Sequence, residues 1–190
     1  KEGGGRGSGD ARPLKPDWMQ RRKMKLNLGC GDKKRDGYVN VDRCGAPDVQ
    51  CDLSRFPWPW ADGSVEEVFC EHYLEHVDDY ERTVLEVHRI LAPAGRFHFR
   101  VPHHRSPMAV WHLHKWPFSV YTPLFLCDAR PYQWGGRRLF EKEALRINFV
   151  YGGRCRRRLL SALANLHPLL WDWLGLPIEE VEFCGRKVGA

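Results

Sequence analysis

The stretch Lys25–Arg43, KLNLGCGDKKRDGYVNVDR, decides how the rest of the chain is read. A short apolar run, Leu26 and Leu28, ends at Gly29-Cys30-Gly31, and a second run, Tyr38–Val41, ends at Asp42. Glycine has no Cβ, so the chain can turn sharply there and a ligand can come close to the backbone. An acid at the end of the next strand is placed to take both hydroxyls of a ribose. This is a nucleoside-binding arrangement.

Spacing narrows the choice of nucleoside. The dinucleotide fingerprint G-x-G-x-x-G needs a third glycine opening a helix and an acid about 20 residues further on. Here the third position is Lys34, and Asp42 follows Gly31 by only 11 residues. The nine residues Gly29–Gly37 are too few for a helical crossover, which takes roughly a dozen. Without a full helix there is no N-terminus for a pyrophosphate, so NAD and FAD fit poorly. A Walker loop is absent, because no Gly-Lys-Ser/Thr follows.

The order of motifs resembles the class I S-adenosylmethionine (SAM)-dependent methyltransferases, and among them the small methyltransferase-domain proteins of the type 11 kind. LNLGCG and GYVNVD come first, then Asp52-Leu53, PWADGSVEEVFCEHYLEHV, Leu91-Ala92-Pro93-Ala94-Gly95, and a run ending at Val101-Pro102. The resemblance covers roughly Lys25–His104. It departs at Asn27, which stands where an acid often precedes the first glycine, and at Ala94, which replaces a glycine of the usual turn. The implied fold is a Rossmann-like, doubly wound α/β domain whose mostly parallel sheet includes one antiparallel C-terminal strand. The implied cofactor is SAM, leaving as S-adenosylhomocysteine.

Composition fits one soluble globular domain. The chain has 190 residues, 43% of them hydrophobic, enough for one core. No apolar run approaches the ~20 residues of a membrane span. The N-terminus is Gly- and Arg-rich without an apolar core segment, so no signal peptide is expected. Seven scattered cysteines without a C-x-x-C pair indicate reduced thiols and a cytoplasmic setting. Residues 1–20 are expected to form a basic tail, disordered over Lys1–Asp17, ahead of a single domain over 21–190.

Within that domain, strands are expected at Val49–Cys51, Val65–Cys70, Phe97–Val101, Ile147–Tyr151 and Ile178–Val188. Pro57-Trp58-Pro59-Trp60 reads as a loop carrying two indoles on the surface or over the adenine edge. Asp78-x-x-Glu81 reads as a capping box, opening a helix with Val84, Val87, His88 and Leu91 on one face and ending at Pro93 and Gly95. Leu139–Leu145 reads as a short helix. Leu159, Leu160, Leu163 and Leu166 mark one face of another. Residues 102–138 have no clean period and form the expected acceptor-side insertion.

By the resemblance, Asn27 and the backbone of Gly29, Cys30 and Gly31 hold the methionine end of SAM. Asp42 takes the ribose, Asp52 and Leu53 the adenine, and Glu71-His72 lie near the sulfonium and amino group. Methyl transfer from a sulfonium is an in-line displacement, for which the protein supplies alignment and sometimes a base. Candidates for catalysis are His103, His114 and Glu71, since histidine titrates near working pH. The pair His112-x-His114 with His103-His104 lacks a fourth ligand at a recognised spacing, so no metal is expected. The expected acceptor is an oxygen of a small molecule or glycan. Two alternatives stand beside it: RNA or DNA methylation through the basic segment Arg154–Arg158, and a SAM-binding module without catalysis.

Overall fold

The computed structural model describes residues 24–129 and 134–189; the expected tail lies outside them. Seven strands form one sheet: β1 (Met24–Leu28), β2 (Val39–Asp42), β3 (Val49–Gln50), β4 (Val65–Glu71), β5 (Leu91–Pro102), β6 (Phe140–Asn148) and β7 (Glu180–Lys187). Their order is β3-β2-β1-β4-β5-β7-β6. All neighbouring pairs from β3 to β5 are parallel, while β7 runs antiparallel to both β5 and β6. This is the expected Rossmann-like sheet with its one antiparallel C-terminal strand. Helix α1 (Tyr80–Ile90) connects β4 to β5, and α2 (Arg154–Ala164) with α3 (Pro168–Trp173) lies between β6 and β7.

The central strands are buried on both faces, so their apolar residues run nearly without interruption, as a covered parallel sheet requires. Leu26, Leu28, Val41, Val68, Phe97, Phe99 and Phe183 are inaccessible to solvent. Each such side chain contributes roughly 1.5–3 kcal/mol relative to exposure. The loop between β1 and β2 carries no helix. It is pinned from below by Asn27, whose Nδ2 donates to the carbonyl of Lys33 (3.1 Å) and to Asn40 Oδ1 (2.9 Å). Asn40 Oδ1 also accepts the amide of Arg35 at 2.7 Å. Asn27 therefore shapes the glycine turn from beneath it.

Five local expectations are corrected. The N-cap of α1 is Asp79, whose Oδ1 accepts the Arg82 amide at 2.9 Å; Asp78 instead pairs with Lys115. That helix stops at Ile90, and Leu91 already belongs to β5. The indoles of Trp58 and Trp60 are buried, with Trp58 Nε1 donating to the Leu53 carbonyl at 3.0 Å. Leu139–Leu145 is not a helix: Phe140–Asn148 pairs along β7. Its Glu-Lys-Glu-Ala-Leu composition favours a helix, but cross-strand contacts override propensity. Glu141 meets Arg186 at 2.7 Å and Glu143 meets Arg96 at 2.8 Å. Finally, Leu159, Leu163 and Leu166 face solvent, and α2 packs inward through Leu160 and Ala164.

Candidate cofactor and acceptor site

A cavity of about 520 Å³ opens at the carboxyl ends of β1, β2 and β4, where open α/β sheets bind ligands. One side is built from Gly29, Gly31, Asp42 and Arg43, the next from Asp52, Leu53, Ser54 and Phe56. The far side consists of His72, Tyr73, His76, Val77, Leu113 and Lys115.

The glycine turn is held open by two different constraints. Gly29 has φ +62°, and a Cβ there would stand 2.4 Å from the Tyr73 ring. Gly31 has φ +49°, and a Cβ there would meet nothing within 4 Å, because the cavity lies over it. Asp42 Oδ2 accepts the Gly31 amide at 2.9 Å, and Oδ1 accepts the Cys44 amide at 3.0 Å. Each oxygen keeps a further lone pair for a ligand hydroxyl. Asp52 is fixed by Ser54, whose hydroxyl (2.7 Å) and amide (3.1 Å) both donate to Oδ1. These bonds hold its carboxyl below the usual range. Phe56 forms an apolar wall, with the Arg82 guanidinium 4.7 Å over its ring.

His72 has φ +54° and lies between two carboxylates, Glu75 Oε1 at 3.2 Å and Glu180 Oε1 at 2.9 Å. Burial alone would depress its pKa, but the two acids outweigh burial and raise it to about 9. It is therefore an imidazolium that ties β4 to β7. Glu71 points off the cavity wall, with Lys33 Nζ at 3.4 Å and Arg100 Nη1 at 4.0 Å.

The loop before Phe118 is stitched to the turn that follows β4. The Lys115 amide donates to the Glu75 carbonyl (2.7 Å), His76 Nδ1 meets the Leu113 carbonyl (3.2 Å), and Trp116 Nε1 donates to the Val77 carbonyl (2.7 Å). This seats the His114 ring against His76, 4.7 Å between centroids. Burial holds His114 below its ordinary pKa, so it is neutral near pH 7.

Of the residues expected at the site, Gly29, Gly31, Asp42, Asp52, Leu53 and His72 share the cavity wall. Asn27 and Cys30 lie beneath the turn, both buried. His114 stands behind His76. His103 is elsewhere: fully buried, its Nδ1 accepts the Arg105 amide at 3.2 Å and its Nε2 lies 3.3 Å from Asp172 Oδ1 on α3. Burial lowers its pKa to about 4. Tyr73, Phe56, Glu75, His76 and Lys115 were not among the expected site residues. Glu75 and His76 sit inside the motif EHYLEHV, but that they meet His114 is a long-range contact with no local signature.

The fold and the cavity define a Rossmann-like protein with an open cavity at the carboxyl ends of its strands. The family of the methyltransferase domain matches residues 26–99, which include both glycines, both acids and the whole of α1. That match covers less than half of the chain, and it is the ground on which SAM-dependent methyl transfer is proposed below. Solved structures share the fold at low identity. A SAM-dependent methyltransferase of Thermotoga maritima is 16% identical, with TM-score 0.55 over 87% of this chain and 82% of that one. A second, from Archaeoglobus fulgidus, is 15% identical, with TM-score 0.54 over 90% and 89%. The [4+2]-cyclase SpnF is 14% identical, with TM-score 0.52 over 88% and 76%. No curated protein matches the chain significantly in sequence.

Proposed function

We propose that the protein transfers the methyl group of SAM to an oxygen of a small molecule or glycan bound in the same cavity. One observation carries this reading. The acids and glycines expected to bind the cofactor line one part of the cavity, and the remaining wall mixes apolar Val77 and Leu113 with polar His76 and Lys115. That wall suits a compact acceptor whose hydroxyl must be aligned with the methyl group and lose a proton. His76, with His114 behind it, is the group there able to take that proton. The arginines Arg154–Arg158 do not line the cavity, which favours a small acceptor over a nucleic acid.

In this arrangement Gly31 and Asp42 receive the ribose and methionine end, Asp52 and Phe56 the adenine, and the mixed wall the acceptor. The protein's part is to fix the line from acceptor oxygen to methyl to sulfur; the sulfonium supplies the leaving group. A cytoplasmic setting agrees with the seven cysteines, all of them free. Among the described residues no helix is long and apolar enough to cross a membrane.

The test is methyl transfer from radiolabelled SAM to separate pools of hydroxylated small molecules, oligosaccharides, RNA and DNA. Label in the first two pools, lost in Asp42→Ala, supports the reading. Label confined to nucleic acid refutes it.

A further inference from the structure

Glu75, His76 and His114 stand together at the edge of the cavity. Among the described residues they are the group able to offer three ligand atoms to one ion, one atom from each within 4.8 Å of the others. Glu75 is 1% exposed, and its Oε2 has no hydrogen-bond partner. A buried carboxylate oxygen without a donor is costly.

The surroundings of two of the three residues are ordered in the same way. Glu75 Oε1 is taken by the His72 imidazolium. His76 Nδ1 donates to the Leu113 carbonyl at 3.2 Å, and the His114 ring is held against His76 and edge-on to Trp111. A neutral imidazole that donates from one nitrogen presents a lone pair on the other. Glu75 and His76 thus each have one atom engaged and one electron pair left over, and a neutral His114 ring carries a lone pair of its own. Partners on the far side of ligating histidines are what fix tautomer and ring orientation in metal sites.

We infer that Glu75, His76 and His114 form a binding site for a divalent transition-metal ion of the zinc class. Two imidazoles and a carboxylate match the borderline hardness of such ions, and three protein ligands leave a position for water or for an oxygen of a ligand in the cavity. The sequence reading expected no metal because it sought ligands among His103, His104, His112 and His114. The fold separates that set. His103 is buried against α3, and His112 is exposed. The inference does not rest on methyl transfer. It does bear on it, because a bound cation uses the same lone pairs that would otherwise take the acceptor's proton, and it acidifies a bound hydroxyl instead.

The experiment is equilibrium dialysis of the full chain, free of any histidine tag, against Zn2+, with Co2+ absorption in the visible as a second readout. Wild-type protein should bind about one equivalent. His114→Ala and His76→Ala should each weaken binding by at least about tenfold and abolish the tetrahedral Co2+ band. His112→Ala, altered in the same loop at an exposed position, should bind as wild type does. Glu75→Gln keeps the volume and tests the carboxylate, with SAM affinity reporting that each variant is folded. Absence of zinc binding by the wild type would overturn the inference. So would wild-type affinity in His114→Ala, or an equal loss in His112→Ala.

Discussion

Gly29 and Gly31 are two residues apart, both left-handed, and differ only in what a side chain would meet. Replacing either by alanine puts an L-residue at positive φ, at a cost of roughly 1–2 kcal/mol. At Gly29 the new methyl also lands 2.4 Å from Tyr73 Cδ2 and 2.9 Å from Tyr73 Cβ. The contact reaches the root of that side chain, so no simple ring rotation relieves it. Overpacking of this kind adds roughly 1–3 kcal/mol, which brings Gly29→Ala to about 2–5 kcal/mol in all. Gly31→Ala carries the backbone cost alone, because its Cβ enters the open cavity. If the cofactor approaches the backbone there, that same methyl displaces it, and a loss of about 1.4 kcal/mol is tenfold in affinity. Urea unfolding measures the first quantity, and calorimetric titration with S-adenosylhomocysteine measures the second. The expected result is an inverted pair, with Gly29→Ala the less stable variant and Gly31→Ala folded but at least tenfold weaker in binding. Equal destabilisation would refute the Tyr73 argument. Wild-type affinity in Gly31→Ala would refute the placement of the cofactor over this turn.

Three further outcomes are expected. Asp42→Ala removes a charged acceptor worth about 1.5–3 kcal/mol and should weaken S-adenosylhomocysteine by roughly 10- to 150-fold, whereas unchanged affinity by calorimetry would remove Asp42 from the ribose. Burial holds His103 at about 4 against 6.5 in the unfolded chain, so the unfolded state binds the extra proton. Its contribution is complete above pH 6.5 and is lost as pH falls toward 4, about 3 kcal/mol in all. Glu182, held at about 2 by its hydrogen bond to His98 in spite of burial, is likewise stabilising above 4.5 and extends the loss at lower pH. Urea midpoints that stay level from pH 7 to 4.5 would contradict the buried neutral imidazole. The substitutions Arg154→Ala, Arg157→Ala and Arg158→Ala together should leave the weak, salt-insensitive binding of labelled RNA unchanged. They spare Arg156, whose Nη1 donates to the Tyr151 carbonyl at 2.6 Å. Tight binding in the wild type, with log affinity falling by about 0.7–0.9 per neutralised phosphate against log salt and abolished in the triple variant, would reverse the choice of acceptor.

What could be read in advance was what sequence encodes locally. The glycine turn, the acid ending β2 and the alternation Phe97-x-Phe99-x-Val101 each lie within a few residues, and the family motifs set the parallel order and the antiparallel β7. Features decided by distant partners were read wrongly or left unread. Phe140–Asn148 is a strand because β7 lies beside it, against its own helical preference. Trp58 and Trp60 turn inward because the Leu53 carbonyl and the core receive them, although the flanking prolines said only that no helix could form. The leucines of α2 showed a helical period correctly, but a period does not say which face meets the sheet. The grouping of Glu75 and His76 with His114 depends on three hydrogen bonds between separate loops, and nothing in either segment announces it.

The edge-on placement of Trp111, 5.5 Å from the His76 ring and 5.4 Å from the His114 ring, gives the molecule an optical property. Trp111 is half exposed while Trp58 and Trp60 are sealed in the core, so a small quencher in solution reaches the first and not the other two. Emission from the buried pair forms a steady background, and the quenchable part of the signal comes from exposed indoles, Trp116 and Trp173 as well as Trp111, of which Trp111 lies edge-on to both imidazoles. Ligands entering that wall therefore report themselves in the protein's own fluorescence, with no label attached.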